Sequence, residues 1–241
     1  DLHSFPTRRS SDLHIEVAAL SGKPLTGPKL EPVSAKHRDT FTVHLDAPES
    51  CPKFVSRIIR GVNNRAPTPL RMRERLRRAG LRSISPVVDI TNYVALELGQ
   101  PMHAYDLGKL QGDIRVRFAK SGERCTLLDG RTVVLSEDVL GITDRSGVIG
   151  LGGVMGGETT AVDEGTSDVL FEVAYFTPEV IAGRARRFGL VTDASQRFER
   201  GVDPAHQERA IERGSALLLA IAGGSPGPYM EIGRASCRER V

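Results

Sequence analysis

Two side chains in this sequence sit where their chemistry demands an explanation. The first is Glu172, inside Val169 to Phe176, a run that is otherwise apolar at nearly every position. Alternate residues of an extended strand share a face, so Glu172 points the same way as Leu170, Ala174 and Phe176. A carboxylate left unpaired among such neighbours costs free energy. Two resolutions stand: an arginine or backbone donors satisfy it as a structural acid, or a ligand does. The second is His103, which follows the helix-ending Gly99-Gln100-Pro101 and so falls on a loop just past a helix terminus. Imidazole titrates near neutral pH and can move protons, but a lone histidine also fits an ordinary structural role.

Between them in sequence lies a glycine-rich run, Gly150 to Gly157. It lacks the Gly-Lys-Ser/Thr ending of a phosphate-binding P-loop and the glycine spacing of a dinucleotide fingerprint. Its glycines are therefore expected to let backbone approach a strand or a ligand closely. No Gly-x-Ser-x-Gly elbow exists to present a nucleophilic serine. The three cysteines, Cys51, Cys125 and Cys237, are too far apart to chelate zinc or form a redox dithiol. No metal site is expected, and the thiols read as free in a reducing compartment.

The elements that must position these groups are marked by their boundaries. Thr68-Pro69 starts a helix, with Thr68 as N-cap and Pro69 at its first position, that puts Met72, Leu76 and Ala79 on one face until Gly80. A second helix begins near Asp89, aligns Ile90, Val94 and Leu98 with Asn92 facing away, and ends at Gly99. Extended segments are expected at Phe41 to Leu45, Phe54 to Val62, Ile114 to Phe118 and Val139 to Thr143, with a hairpin turning at Asp129-Gly130. Thr177-Pro178 opens a helix to about Phe188, and Asp203-Pro204 opens the last one, to Ala222 before Gly223-Gly224. Strand runs flanked by separated helices predict a mixed α and β layered domain over residues 49–202.

With 241 residues, 39% hydrophobic and 26% charged, the chain can bury a substantial core in one large or two modest domains. No stretch approaches the roughly 18 apolar residues of a membrane span. The start also lacks the plan of a secretory signal, so a cytoplasmic location without membrane contact is expected. Net charge is only +3, yet Lys53 to Arg82 holds nine Arg and one Lys against the single acid Glu74. Such a stripe suits a nucleic-acid backbone and suits a solvated helix face as well. Residues 1–13 and 231–241 show neither helical nor strand periodicity and read as non-native, adapter-derived sequence.

Four segments together resemble a known family. VVDITNYVALELGQPMHAYD (Val87 to Asp106) and FEVAYFTPEVIAGRARRFGLVTDASQRFERGVDP (Phe171 to Pro204) closely resemble the B3/B4 region of the bacterial phenylalanyl-tRNA synthetase β subunit. APTPLRMRERLRRAGLRSISP (Ala66 to Pro86) and GLGGVMGGE (Gly150 to Glu158) fit the same pattern in the same order. By this resemblance, residues 14–48 are the end of a preceding B1-like region with its linker. Residues 49–202 are the B3/B4 domain, and residues 203–230 are a helix leading to the next domain.

The resemblance implies a three-layer B3/B4-type fold, with a β-sandwich core flanked by helices. It implies a site that hydrolyses tyrosine wrongly attached to the phenylalanine tRNA. Matching positions make His103 and Asn92 the catalytic candidates, which orient water or the terminal adenosine. Glu172, Gly152, Gly153, Thr192 and Ala194 become substrate contacts, and backbone N–H groups near Gly152 and Gly153 would stabilise the oxyanion. No metal or cofactor is implied for this segment, whereas the complete synthetase uses ATP and Mg²⁺. The implied partners are the aminoacylated 3′ end of the phenylalanine tRNA and the synthetase α subunit in an α2β2 heterotetramer, with no DNA. Such a segment is an ester hydrolase that does not charge tRNA alone. The alternative is a non-catalytic module for tRNA docking or subunit assembly, with Glu172 merely paired to an arginine.

Overall fold

A computed structural model describes residues 17–24, 27 and 30–233. The first strands are β1 (Val43–Leu45) and β2 (Lys53–Arg60), followed by helices α1 (Leu70–Arg78) and α2 (Pro86–Leu98) and strand β3 (His103–Asp106). Six short strands come next: β4 (Ile114–Phe118), β5 (Arg124–Thr126), β6 (Thr132–Val134), β7 (Leu140–Asp144), β8 (Gly147–Leu151) and β9 (Met155–Gly156). The chain continues through β10 (Val169–Tyr175), α3 (Pro178–Ile181), α4 (Arg184–Arg187), α5 (Asp193–Glu199), α6 (His206–Ala222) and β11 (Ser225–Gly233).

The strands form two main sheets, one in the order β1-β4-β7-β8-β9 and the other β11-β2-β10-β3, with β5 and β6 as a separate hairpin. Pairing is antiparallel throughout except between β1 and β4. Strand periodicity explains the layering. On β10, Leu170 and Ala174 join Phe54 and Ile58 of β2 in a core shared with Ile114, Val116, Ile142 and Ile149 of the other sheet. The alternate residues Val169, Phe171 and Val173 face a second core with Met72, Leu76, Ile90 and Val94 of α1 and α2 and Ala210, Ile211 and Leu218 of α6. The four-stranded sheet is therefore covered on both faces, which gives three layers: sheet, sheet and helices. This is the mixed α and β sandwich expected.

Several elements differ from expectation for local reasons. Helix α1 begins at Leu70 with Pro69 as N-cap. The Thr68 hydroxyl instead donates to Asp89 at 2.6 Å, because that wholly buried carboxylate needs donors and also receives the Ile84 N–H at 2.8 Å. The helix expected from Pro178 to Phe188 is broken into α3 and α4 by Gly183, whose φ of 75° is left-handed and cannot continue an α-helix. Helix α6 ends at Ala222 as expected, but no helix leads away through residue 230. Residues 225–233 return as β11 and pair with β2, and Glu231, Ile232 and Gly233 lie opposite Val55, Phe54 and Lys53. Those three residues thus belong to the sheet. The remainder of the ends read as non-native, residues 1–13 and 234–241, lies outside the described residues, as does Cys237. Cys51 and Cys125 are free and buried.

Candidate functional site

The site grows from the pairing of β3 with β10. Its register sets His103 directly opposite Glu172, and Tyr105 opposite Leu170. Entry into β3 is anchored first by Gly99, which caps α2 in a left-handed conformation at φ 74°. Gln100, fully buried, then donates to the Ala174 carbonyl of β10 at 3.0 Å and accepts from Gln207 of α6 at 3.0 Å. These bonds fix the backbone immediately before His103.

Glu172 is buried on the sandwich side, with 6% of its surface exposed. Its Oε2 accepts a hydrogen bond from the Tyr105 hydroxyl. Among the described residues neither an arginine nor a backbone donor reaches it, and the Tyr105 hydroxyl is its partner. Burial pushes the Glu172 carboxyl up to about 7, and the bond from Tyr105 works in the opposite direction. His103 stands edge-on to Tyr105, with ring centroids 4.5 Å apart and planes at 82°. Its Nε2 is covered and has no hydrogen-bond partner among the described residues. Burial pulls its pKa down to about 4, so near pH 7 the ring is a neutral imidazole, able to accept a hydrogen bond but a weak base.

A cavity of about 80 Å³ opens against these groups, lined by His103, Tyr105, Glu172, the run Gly150 to Gly156, Phe176, Ala194 and Phe198 among others. The glycine-rich run forms one wall, and its composition follows from contact distances. A Cβ on Gly156 would lie 2.3 Å from His103 Cε1 and 2.7 Å from Nε2. One on Gly153, whose φ is 69°, would meet Ile181 and Phe176 at 3.0–3.2 Å. The backbone is therefore pressed against the imidazole and the aromatic floor. The Gly152 N–H already donates to the Leu140 carbonyl at 2.8 Å. Among the described residues the Gly153 N–H makes no such bond.

Of the residues singled out from sequence, His103, Glu172, Gly152, Gly153 and Ala194 share this cavity. Thr192 does not line it. Its hydroxyl accepts from the Ser195 N–H at 3.0 Å as the N-cap of α5 and donates to the Val154 carbonyl at 2.8 Å. Thr192 thus ties α5, which carries Ala194 and Phe198, to the glycine-rich turn. Asn92 lies half-buried on α2 in the helical layer and does not line the cavity. Sequence reading gave no role to Tyr105, although period-two geometry puts it on the same face of β3 as His103. Among the described residues, no group of three or more His, Cys, Asp or Glu side chains could hold a metal ion. No described helix is long and apolar enough to cross a membrane.

The sequence that builds this sandwich with its helical third layer matches a known domain family. The B3/4 domain model matches residues 50–223, and the chain belongs to that family. Among full-length proteins, it is similar to the phenylalanine–tRNA ligase beta subunit of Pectobacterium atrosepticum, 55% identical over 217 residues, which is 90% of this chain and 27% of that protein. The beta subunit of Methylococcus capsulatus is 54% identical over 219 residues, 91% of this chain and 28% of that protein. The chain thus spans little more than a quarter of the length of these relatives. Its fold also resembles the crystal structure of an N-terminal fragment of the phenylalanyl-tRNA synthetase beta-subunit from Pyrococcus horikoshii. That likeness has a TM-score of 0.51 at 15% identity and covers 86% of this chain and 57% of that one.

Proposed function

We propose that this chain is the proofreading segment of a phenylalanine–tRNA ligase β subunit and hydrolyses tyrosine mischarged onto the phenylalanine tRNA. A pocket shaped for phenylalanine gains only about a hundredfold against an isostere that adds one hydroxyl, so a second site must remove the error. The observation that carries this function is Glu172, a desolvated carboxyl at the cavity wall that already holds one phenol, that of Tyr105. A tyrosyl ring supplies a hydroxyl to such a group. A phenylalanyl ring would strip its water and replace nothing.

Ester hydrolysis then needs a water and a place for the developing oxyanion. His103 Nε2, neutral and without a partner among the described residues, is covered by the glycine wall, and a small shift of that wall would let it accept a hydrogen bond from water held beside the ester. The Gly153 N–H is the available oxyanion donor in that wall. Ala194 limits the width of the cavity, and Thr192 holds Ala194 there through the α5 cap. Asn92, outside the cavity, acts on the terminal adenosine of the tRNA. In this function the charging reaction, with ATP and Mg²⁺, belongs to the complete ligase with its α partner, which the segment joins to meet the 3′ end of the tRNA.

The test is Glu172→Ala in the complete ligase. Tyr-tRNA should accumulate while phenylalanine charging stays near the wild-type rate. Tyrosine clearance at the wild-type rate would remove Glu172 from recognition.

A further inference from the structure

We infer that Tyr105 is a positioning residue for specificity: its hydroxyl closes one oxygen of Glu172, so the carboxylate offers a single acceptor, Oε1, to a phenol entering the cavity. This rests on the proofreading function proposed above and adds the residue that sharpens its selectivity. Tyr105 and Glu172 are brought together by strand register, since Tyr105 lies opposite Leu170 and its side chain reaches diagonally along the same face to Glu172. Tyr105 is 1% exposed and Glu172 6%. No other hydrogen bond to either side chain is present among the described residues. Each would be an orphaned buried polar group without the other.

The geometry points to selectivity and not only to mutual satisfaction. A carboxylate with both oxygens open could turn and keep one of them hydrated beside a phenylalanyl ring. Clamped on Oε2, it cannot turn away, and a ring without a hydroxyl leaves Oε1 facing the cavity without a donor. The titratable groups around it are Tyr105 and His103 from β3 and Cys51 from the segment before β2, while Asp144 of β7 acts on Tyr105. None is a cation. The Tyr105 hydrogen bond is therefore the neighbour that favours the charged, phenol-accepting form against burial.

Tyr105→Phe in the complete ligase tests this, because it keeps the ring that packs on His103 and removes one oxygen. The half-saturating concentration of Tyr-tRNA for deacylation should rise about tenfold, the scale of one lost hydrogen bond to a charged group. The maximal rate should hold, and the pH midpoint of substrate affinity should move to more alkaline values. In a Glu172→Gln background the same substitution should add nothing, since no charge remains to be held. Four results overturn the inference. Unchanged affinity and pH midpoint in a ligase that still prefers Tyr-tRNA to Phe-tRNA would remove Tyr105 and leave the proofreading function intact. A lower rate at unchanged affinity would place Tyr105 behind His103 instead. Independent, additive effects in the double variant would reduce it to scaffold. A wild-type ligase without preference between the two esters would overturn both the inference and the function it rests on.

Discussion

Gly156→Ala measures how tightly the glycine wall and the histidine are fitted. The added Cβ would lie 2.3 Å from His103 Cε1, where ordinary contact begins at 3.4 Å. The imidazole or the strand must therefore give by about 1 Å, a displacement large enough to cost roughly a hundredfold in rate when it falls on a reacting group. The ring has little room, since Tyr105 stands edge-on at 4.5 Å and donates to Glu172. Overpacking of this kind costs about 1–3 kcal/mol of stability. Gly141→Ala is the control: it lies on β7 in the facing sheet, and its added Cβ would meet Val148 at an ordinary 3.5 Å. Urea unfolding and single-turnover deacylation of Tyr-tRNA should separate the two variants, with Gly156→Ala low in both and Gly141→Ala near wild type. Equal behaviour of the two would refute the idea that the glycine run exists to admit the imidazole.

Two further outcomes follow from buried charge. Burial raises Glu172 from an ordinary 4.5 to about 7 and lowers His103 from 6.5 to about 4. The folded chain thus keeps a proton on Glu172 that the unfolded chain has lost between about 4.5 and 7, so this group makes stability fall as pH rises through that window. For His103 the unfolded chain holds the extra proton, so stability rises with pH between about 4 and 6.5. The slopes oppose each other until about 6.5. Glu172→Gln should therefore gain stability over wild type as pH rises toward 7, by an amount on the order of 2 kcal/mol, read as the difference in urea midpoints across pH. A difference that stays flat with pH would show that Glu172 titrates normally. On the other face of the sheet, Arg57 donates to both oxygens of Glu212 at 3.0 and 2.9 Å, with the two side chains only 2% and 10% exposed. Glu212→Ala should cost about 3–5 kcal/mol in chemical denaturation, and Arg57→Met with Glu212→Leu should recover most of it. A single-variant loss below about 1 kcal/mol would mean that water reaches Arg57.

The three-layer fold was legible where burial imposes a period. β10 is apolar on both faces because it is covered on both, and Glu172 stood out against that pattern. What escaped sequence reading depends on who meets whom across the fold. An acid in an apolar strand announces that it needs a partner but not which one, and the partner is settled by a register between segments some 67 residues apart. Thr192 and Thr68 show the same limit in opposite directions. Both precede helices and both look like caps, yet Thr192 caps α5 while Thr68 turns to Asp89, because only one of them has a buried carboxylate within reach. β11 was missed because residues 203–230 read as a helix leading onward and 231–241 as non-native sequence, and because the segment holds Pro226 and Pro228. Proline removes a ladder donor and is tolerated in a strand with one open side, and β11 is the edge strand of its sheet, with its register shifted between Pro226 and Tyr229.

The acid gains rigidity from its place on β10. A catalytic or recognition group on a loop would move with the loop, whereas Glu172 lies on an inner strand flanked by β2 and β3. Its backbone is held by ladder bonds on both sides, and its side chain is held by Tyr105. The cost of desolvating a carboxyl is accepted in the most constrained position of the sheet, and a single hydroxyl on a substrate ring can then decide whether that cost is offset. The facing wall is made of the glycine run and of Ala194 and Phe198 on α5. Substitutions at Glu172 and Tyr105 should therefore change which ester is hydrolysed. Those in the glycine wall should change how fast any ester is hydrolysed.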